Sequence, residues 1–392
     1  MIRHDRLREL DLLRFLAAMG VVLFHFTGFK GAGPWPEPSL ELFPGVGAVT
    51  RYGYLGVDLF FMISGFVILM SAWGRSPGEF GVSRVVRLMP AYWAGVLLGL
   101  VVYLGFRLGN GVPGLVMPNL TMLQAGLGLK NVDPVFWTLW VELHFYVLIA
   151  VLAAIKISYR SCLVFMAGWT LAGVFADEAD NKLLQVMLMP TWSPYFVAGM
   201  ALFLMYRFGP TLLLWGFVGV SWLLAMHWSA WRTGHVFTTA DENVVAVVVT
   251  LIFVVMILVA TGRLRRLRWR GLTVLGALTY PLYLTHSQVA LPLLEHAYPG
   301  LNRWAALALA TAVSLAVAYA VYRLVEKPGQ KWMRAKLRES LAPIRAGDRG
   351  SGRASGDEDG KGRDKAAVPP PRPPGVPGDA AADGSPPELV RP

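Results

Sequence analysis

The sequence predicts an all-α integral membrane protein, a bundle of about ten transmembrane helices with both termini in the cytoplasm. Three observations predict this fold class. The 392 residues are 55% hydrophobic and only 16% charged, which is outside the range of ordinary soluble domains. The apolar residues form runs of about 17–25 residues, the length of a membrane-spanning helix. The basic residues lie mainly in the short segments between those runs.

Ten apolar runs are long enough to be predicted as spans. They lie near residues 10–29, 55–73, 89–106, 137–155, 161–176, 191–206, 211–228, 244–261, 272–291 and 303–323. The stretch 112–128 is interrupted by Pro113 and Pro118. We therefore predict that it is an outer loop or a re-entrant segment rather than a span.

The distribution of arginine and lysine predicts the orientation. If the N-terminus is cytoplasmic, the inside segments carry fourteen of these residues and the outside segments carry seven. This asymmetry follows the positive-inside rule and requires an even number of spans. The net charge of +11 is thus explained by membrane topology, and no nucleic-acid partner is predicted.

Two segments of different composition are predicted. Residues 1–345 contain all the apolar runs and form the transmembrane domain. Residues 346–392 are rich in glycine, proline and charge, so they cannot bury a core and are predicted to be a disordered cytoplasmic tail. The single cysteine, Cys162, excludes an intrachain disulfide and a cysteine-based metal cluster, and no metal site is predicted.

The first run, "LDLLRFLAAMGVVLFHF", contains Arg14 and His25. A charge at the bilayer centre costs roughly 2.5–3.5 kcal/mol on insertion scales, so a role that outweighs this cost is expected. Eleven residues are about three turns of α-helix, which puts both side chains on one face, roughly 16 Å apart. The alternative is a snorkelling arginine and a histidine that is hydrogen-bonded within the core.

Two acidic residues lie inside predicted spans. Asp58 is in "GYLGVDLFFMISGFVILM" and Glu142 is in "FWTLWVELHFYVLIA". Either acid is a candidate to orient the His25 imidazole from another helix. For Asp58 the alternative is that it neutralises an arginine and holds helices together. His144 is two positions from Glu142 and can satisfy itself with one backbone carbonyl, so no role is assigned to it.

Basic and aromatic candidates occur in two further runs. Arg84 and Arg87, in "SRVVRLMPAYW", are three residues apart just before a helix that is predicted to begin at Pro90, and they form a candidate anion site. Ordinary positive-inside flanking would also explain either arginine. Tyr280 and His286, in "GALTYPLYLTHSQVALPLL", belong to a helix that is predicted to be kinked and to line a cavity.

Five of these stretches resemble, in order, the blocks of one known family, the acyltransferase-3 group of multi-pass membrane O-acyltransferases. "LDLLRFLAAMGVVLFHF" has the R-x10-H spacing of its opening block, and the later blocks are "GVDLFFMISGFVI", "RVVRLMPAYW", "WTLWVELHFY" and "TYPLYLTH". The similarity covers roughly residues 8–330. The fourth block departs from the more usual "WSLxVExxFY", with Thr138 in place of serine.

The resemblance implies transfer of an acyl group, often acetyl, from acyl-CoA to a hydroxyl of an envelope glycan, another carbohydrate or a small molecule. It implies that Arg14 and His25 are essential and that Arg84 and Arg87 act near the donor. It also implies the cytoplasmic membrane of a bacterium and a donor substrate rather than a permanently bound cofactor, and the sequence does not determine the oligomeric state.

The residues themselves favour the same chemistry. Acyl transfer from a thioester needs a base for the acceptor hydroxyl and an anion site for the CoA phosphates. His25 is the predicted base, because imidazole changes its charge near neutral pH. Asp58 or Glu142 would stabilise its imidazolium, and Arg84, Arg87 and Arg14 would bind the donor. A proton-coupled transporter is the alternative, since its spans also carry buried Asp, Glu and His.

Overall fold

The computed structural model describes residues 7–29, 35–106, 112–179, 181–264, 269 and 271–337. Within these ranges the regular structure is helical: α1 (Arg8–Leu23), α2 (Ser39–Leu42), α3 (Pro44–Thr50), α4 (Gly56–Ala72), α5 (Pro77–Phe106), α6 (Val112–Asn119), α7 (Trp137–Ile155), α8 (Tyr159–Glu178), α9 (Lys182–Leu188), α10 (Ser193–Phe208), α11 (Leu212–His235), α12 (Glu242–Ala260), α13 (Gly271–Ala297) and α14 (Arg303–Val321). The predicted tail, 346–392, lies outside the described residues.

Nine helical segments among the described residues are long and apolar enough to cross a membrane. They are Arg8–Gly28, Pro44–Ala72, Pro77–Gly105, Pro134–Ile155, Tyr159–Glu178, Lys182–Phe208, Leu212–His235, Glu242–Ala260 and Arg303–Leu337. The prediction of an all-α multi-pass membrane protein is confirmed. The cytoplasmic location of both termini stays a prediction.

The ninth predicted span, 272–291, corresponds to α13, which is absent from these nine segments. This helix has 27 residues, enough to cross a bilayer, but it is more polar than the other nine. Its polar side chains Thr285, His286, Ser287 and Gln288 are buried within the bundle. Such a helix is stable in a membrane only where other helices cover its polar side, and α13 contacts α1, α5 and α14.

Two predicted boundaries are wrong. Helix α5 begins at Pro77 rather than near residue 89, so Arg84 and Arg87 lie inside a 30-residue helix and not before one. Helix α11 extends to His235, so Arg232, predicted to be in an outer segment, lies within a helix. Apolar runs underestimate helix length, because a polar residue can continue a helix wherever it finds a partner in the bundle.

The segment 112–128 is short and irregular, with the eight-residue helix α6 followed by turns. Asn119 is fully buried at the end of α6. Its side chain donates to the carbonyl of Lys130 and accepts from the backbone N–H of Val132. These bonds hold the connection between α6 and α7 in place. Whether the segment lies at an outer surface stays a prediction.

Side-chain caps begin several of the helices. Ser158 and Ser161 form a reciprocal capping box at α8. The side chains of Thr211, Asp241 and Asn302 accept backbone N–H groups at the starts of α11, α12 and α14. Each cap satisfies donors that would otherwise be unpaired at a helix terminus, which stabilises a helix by about 0.5–2 kcal/mol.

Two glycines allow α4 and α10 to approach closely. A Cβ atom on Gly65 would overlap the carbonyl of Phe196, and one on Gly199 would overlap the carbonyl of Met62. Small residues at such crossings replace the hydrophobic driving force that is absent between helices in lipid. The crossing brings α4, which carries Asp58, against the bundle interior.

A buried ion pair connects α4 to α11. Asp58 is fully buried and accepts two hydrogen bonds from the Arg232 guanidinium, at 3.0 and 2.7 Å. The Tyr195 hydroxyl donates to the same carboxylate at 3.1 Å, and Ser229 accepts from Arg232 at 3.1 Å. The guanidinium also lies over the Trp192 ring, 4.6 Å from its centroid. The arrangement therefore compensates both charges within the protein.

We expect Asp58→Asn to destabilise the folded protein, because it leaves the Arg232 charge buried without its counter-ion. The expected loss is about 3–5 kcal/mol, visible as a lower unfolding temperature of the detergent-solubilised protein. Arg323→Gln, which alters an exposed arginine, should be close to neutral. The double variant Asp58→Asn, Arg232→Gln should lose less than the sum of the two single losses. A loss for Asp58→Asn no larger than that of the exposed control would contradict this account.

Candidate active site

Two histidines from different helices meet in the bundle. His25 lies in a π-helical turn, Phe24–Gly28, that follows α1, and His286 lies in the middle of α13. His25 Nδ1 is 3.1 Å from His286 Nε2. The α-helical spacing that was used to relate Arg14 to His25 does not extend to His25, since the helix widens at this turn. Such π-helical turns occur frequently at functional sites.

The backbone determines which nitrogens of the pair carry protons. His286 Nδ1 is 3.2 and 2.9 Å from the carbonyl oxygens of Leu282 and Tyr283. Carbonyl oxygens only accept, so His286 Nδ1 carries a proton, and in the neutral ring Nε2 is an acceptor. His25 Nδ1 must then donate to it. The neutral His25 ring therefore has its free lone pair on Nε2, the arrangement that a general base requires.

An acid that the sequence analysis missed lies beside this pair. Asp133 is 2% exposed and close enough to His25 for an electrostatic interaction. Its Oδ1 accepts the backbone N–H of Val135 at 3.0 Å, and its Oδ2 accepts the hydroxyl of Ser287. The sequence signal was Asp-Pro directly before an apolar run, which is typical of a helix start. That signal predicts a cap, and only the fold brings the carboxylate to His25.

A cavity of about 110 Å³ lies between α1, α4, α5, α7 and α13. We call it the first cavity. Its polar lining consists of Arg14, Ser64, Arg84, Arg87, Thr138, Glu142, Tyr146, Thr279, Tyr280 and Tyr283. The predicted group of Arg14, Arg84 and Arg87 is thus brought together. Tyr280 lines the cavity as predicted, and its hydroxyl reaches the carbonyl of Leu88 at 3.4 Å.

The first cavity is strongly cationic. Three guanidiniums and one carboxylate line it, a formal charge of three minus one, or +2. Arg84 is 8% exposed, and its Nε has no hydrogen-bond partner among the described residues. The guanidinium lies 5.6 Å from the centroid of Phe80 and 6.0 Å from that of Tyr146. A buried guanidinium with an unused donor is suited to bind an anion that enters the cavity.

Glu142 does not contact His25, contrary to the prediction. Its Oε1 accepts the hydroxyl of Ser64 at 3.0 Å, and the carboxylate interacts electrostatically with Arg14 and Arg84. Glu142 thus lies among the arginines of the first cavity. There it lowers the repulsion between three cations, which would otherwise oppose their close approach.

Asp58 is not beside His25 either. Its carboxylate is occupied by Arg232, in agreement with the alternative that it neutralises an arginine and holds helices together. His144 has a backbone partner, as the sequence analysis allowed, because its Nδ1 is 2.8 Å from the carbonyl oxygen of Trp140. His286, predicted as a possible cavity-lining residue, is fully buried one turn beyond Tyr283 and contacts His25 instead.

No group of three or more His, Cys, Asp or Glu side chains that could hold a metal occurs among the described residues. The described residues of the site supply an imidazole with a free lone pair, a buried acid nearby and a cationic cavity.

Comparison with known proteins supports a catalytic interpretation. A family model described as an acyltransferase domain matches residues 7–323, which include every helix of the site. The "Exopolysaccharide production protein ExoZ" of Rhizobium meliloti (strain 1021) is 28% identical over 312 residues, which cover 72% of this chain and 92% of ExoZ. No solved structure matches the chain.

Proposed function

Because the chain belongs to the acyltransferase-3 family and is a membrane O-acyltransferase, we propose that its donor is acyl-CoA and that it acylates a hydroxyl of a cell-envelope carbohydrate. Acetyl is the proposed acyl group. The name of the Rhizobium relative supports an exopolysaccharide or its precursor as the acceptor. The proposed location is the cytoplasmic membrane of a bacterium.

One observation carries the proposal: the hydrogen-bond chain from the α13 backbone through His286 to His25. It leaves the lone pair of His25 Nε2 available to a hydroxyl proton. As the acceptor oxygen attacks the thioester carbonyl, Nε2 takes that proton. The C–S bond then breaks, and the imidazolium returns the proton to the departing CoA sulfur. His286 Nε2 and the Asp133 carboxylate stabilise the imidazolium in between.

The first cavity supports a donor site for CoA. CoA carries phosphate groups, and the three arginines supply charge-assisted donors with a planar geometry that suits phosphate oxygens. Glu142 and Ser64 hold the positions of these cations. Along α13, Tyr283 lines the cavity and His286 lies less than one turn beyond it. A thioester on a donor bound by the arginines would therefore extend toward the His25–His286 pair.

The surroundings of Asp58 weaken the alternative that the protein is a proton-coupled transporter. Asp58, an intramembrane acid that a proton-coupled transporter would use, is bound by two nitrogens of Arg232. Both oxygens of the carboxylate are bound by one guanidinium, so Asp58 presents no free oxygen to a transported ion. The arginines of the first cavity also have no role in that alternative.

We expect Arg84→Ala to raise the KM for acyl-CoA more than the KM for the acceptor. A hydrogen bond to a charged group contributes about 1.5–3 kcal/mol, which corresponds to a roughly 10- to 100-fold increase. Phosphate contacts act on the bound donor and on the transition state alike, so kcat should change less. Arg84→Lys should restore only part of the affinity. The measurement is thiol release from acyl-CoA by the purified protein in lipid vesicles.

Arg207→Ala is the matched control, since Arg207 lies over the Trp73 ring at the end of α10 and away from the first cavity. It should leave the KM for acyl-CoA unchanged. An unchanged donor KM in the double variant Arg84→Ala, Arg87→Ala would contradict the donor site.

We expect His25→Gln to be almost as inactive as His25→Ala. Glutamine keeps a hydrogen-bonding group but cannot take a proton at neutral pH, and a positioned general base contributes about 10²–10⁴-fold. Binding of acyl-CoA, measured by equilibrium dialysis, should be retained in both variants. A glutamine variant within about tenfold of the parent, at matched expression, would rule out His25 as the base.

We expect His286→Phe to lower kcat roughly 10- to 100-fold, because the His25 imidazolium loses a hydrogen bond to His286 that contributes about 1.5–3 kcal/mol, although it keeps its backbone partner Val21. His286→Gln should retain most of the activity, since its amide can accept from His25 and donate to the α13 carbonyls. The KM for acyl-CoA should stay the same in both variants. His144→Phe, which removes another carbonyl-bound imidazole, is the control and should be neutral.

The glutamine variant also decides between two roles for His286. If His286→Gln and His286→Phe lose the same fraction of kcat while their unfolding temperatures equal that of the parent, the hydrogen bond from His25 to His286 does not contribute to activity.

A further inference from the structure

A second cavity, of about 180 Å³, lies beyond the histidine pair. We define it by Gly99 and Tyr103 of α5, Asp133, and Ser287, Gln288 and Leu291 of α13. The donor site proposed above does not use it. Its volume is below the roughly 300–1,000 Å³ of pockets that hold drug-sized ligands, so it would hold a small group or one part of a larger ligand.

The two cavities are arranged along the same two helices. On α5 the first cavity is lined by Leu88 and the second by Gly99, which are eleven residues or roughly 16 Å apart along the axis. On α13 the first cavity ends at Tyr283 and the second begins at Ser287. His286 lies between these two residues. The His25–His286 pair therefore lies at the level where one cavity ends and the other begins.

Gln288 is the unusual residue of the second cavity. It is 8% exposed, and its amide nitrogen faces the Asp133 carboxylate, whereas its amide oxygen has no hydrogen-bond partner among the described residues. A buried polar atom without a partner is unfavourable. A ligand hydroxyl that donates to this oxygen would recover that free energy.

The lining also restricts the chemistry of the ligand. Asp133 adds a carboxylate, which accepts hydrogen bonds and disfavours an anion, and no arginine or lysine is found among the described residues that line the cavity. An acyl chain would leave the Gln288 amide oxygen unpaired. Tyr103, Val102 and Leu291 supply apolar walls. Closely spaced hydroxyls on a ring with an apolar C–H face match all of these groups.

We propose that the second cavity binds a pyranose ring of the acceptor, with Gln288 and Asp133 holding neighbouring hydroxyls and one further hydroxyl directed to His25 Nε2. The significance of this site for catalysis rests on the acyl transfer proposed above. Sugar binding itself does not depend on the reaction and can be tested without it.

The test uses protection of a cysteine from labelling. Leu291 lines the cavity and is 39% exposed, and Cys162 is the sole native cysteine. In a Cys162→Ala, Leu291→Cys protein we expect methyl glycosides of glucose, galactose, mannose or rhamnose at millimolar concentration to slow maleimide labelling. At least one of the four should protect, and hexanol, which has a single hydroxyl, should not.

Gln288→Met keeps the side-chain length and removes both hydrogen-bonding atoms. It should raise the concentration of glycoside that gives half protection about tenfold, as expected for the loss of hydrogen bonds of about 1 kcal/mol each. Gln185→Met makes the same change in α9, outside both cavities, and should leave protection unchanged. Equilibrium binding of acyl-CoA in the Gln288→Met protein shows whether it is folded, and Gln288→Asn is the second variant if it is not.

Absence of protection by all four glycosides, or equal protection in the Gln288→Met and parent proteins, would overturn the sugar site. The proposed function would stand in that case if thiol release from acyl-CoA still required His25. Conversely, protection by a glycoside without any acyl transfer would retain the site and reject the reaction.

Discussion

The hydrogen bond between His25 and His286 is the interaction on which the rest of the site depends. Lipid offers no partner to a polar group, so each imidazole nitrogen in the bundle has to find one in the protein. His286 Nδ1 bonds two carbonyls of its own helix, so its Nε2 accepts from His25 Nδ1 at 3.1 Å, and His25 also has a backbone hydrogen bond to Val21. The backbone of α13, which is held by α1, α5 and α14, therefore contributes to keeping the lone pair of His25 Nε2 free.

The charged and polar side chains of the bundle differ in whether they find partners within the protein. The ion pair of Asp58 and Arg232 joins α4 to α11 and neutralises both charges within the protein, while the Arg232 Nε has no hydrogen-bond partner among the described residues. The first cavity is instead left with an excess of two positive charges, and the second with the unpaired amide oxygen of Gln288. Charges that are neutralised internally stabilise the bundle, whereas unpaired groups that line a cavity are suited to ligands. Helices α5 and α13 contribute to both cavities, so movement of either helix would alter the two cavities together.

Individual residues show what the sequence pattern alone can and cannot predict about the site. Arg14, Arg84 and Arg87 were predicted to act together, and the structure brings them to one cavity. Glu142 and Asp58 were predicted as partners of His25, and both have other partners. Asp133, which does lie beside His25, has the sequence signature of a helix cap. The position of a side chain along a membrane-spanning helix can be inferred from the surrounding sequence. Its partner, however, belongs to another helix and depends on how the two helices cross.

The sequence by itself determined the class of this protein: apolar runs of bilayer length require helices, and ordered motifs with polar residues inside those runs indicate a membrane O-acyltransferase. These properties are local, because a helix satisfies its own backbone and hydropathy adds along the chain. Only the tertiary structure decided which acid lies near His25, that α13 packs in the bundle with its polar side covered, and that His286 lies on α13 between residues that line two different cavities. Those outcomes depend on contacts between residues up to 261 positions apart, which no local pattern contains.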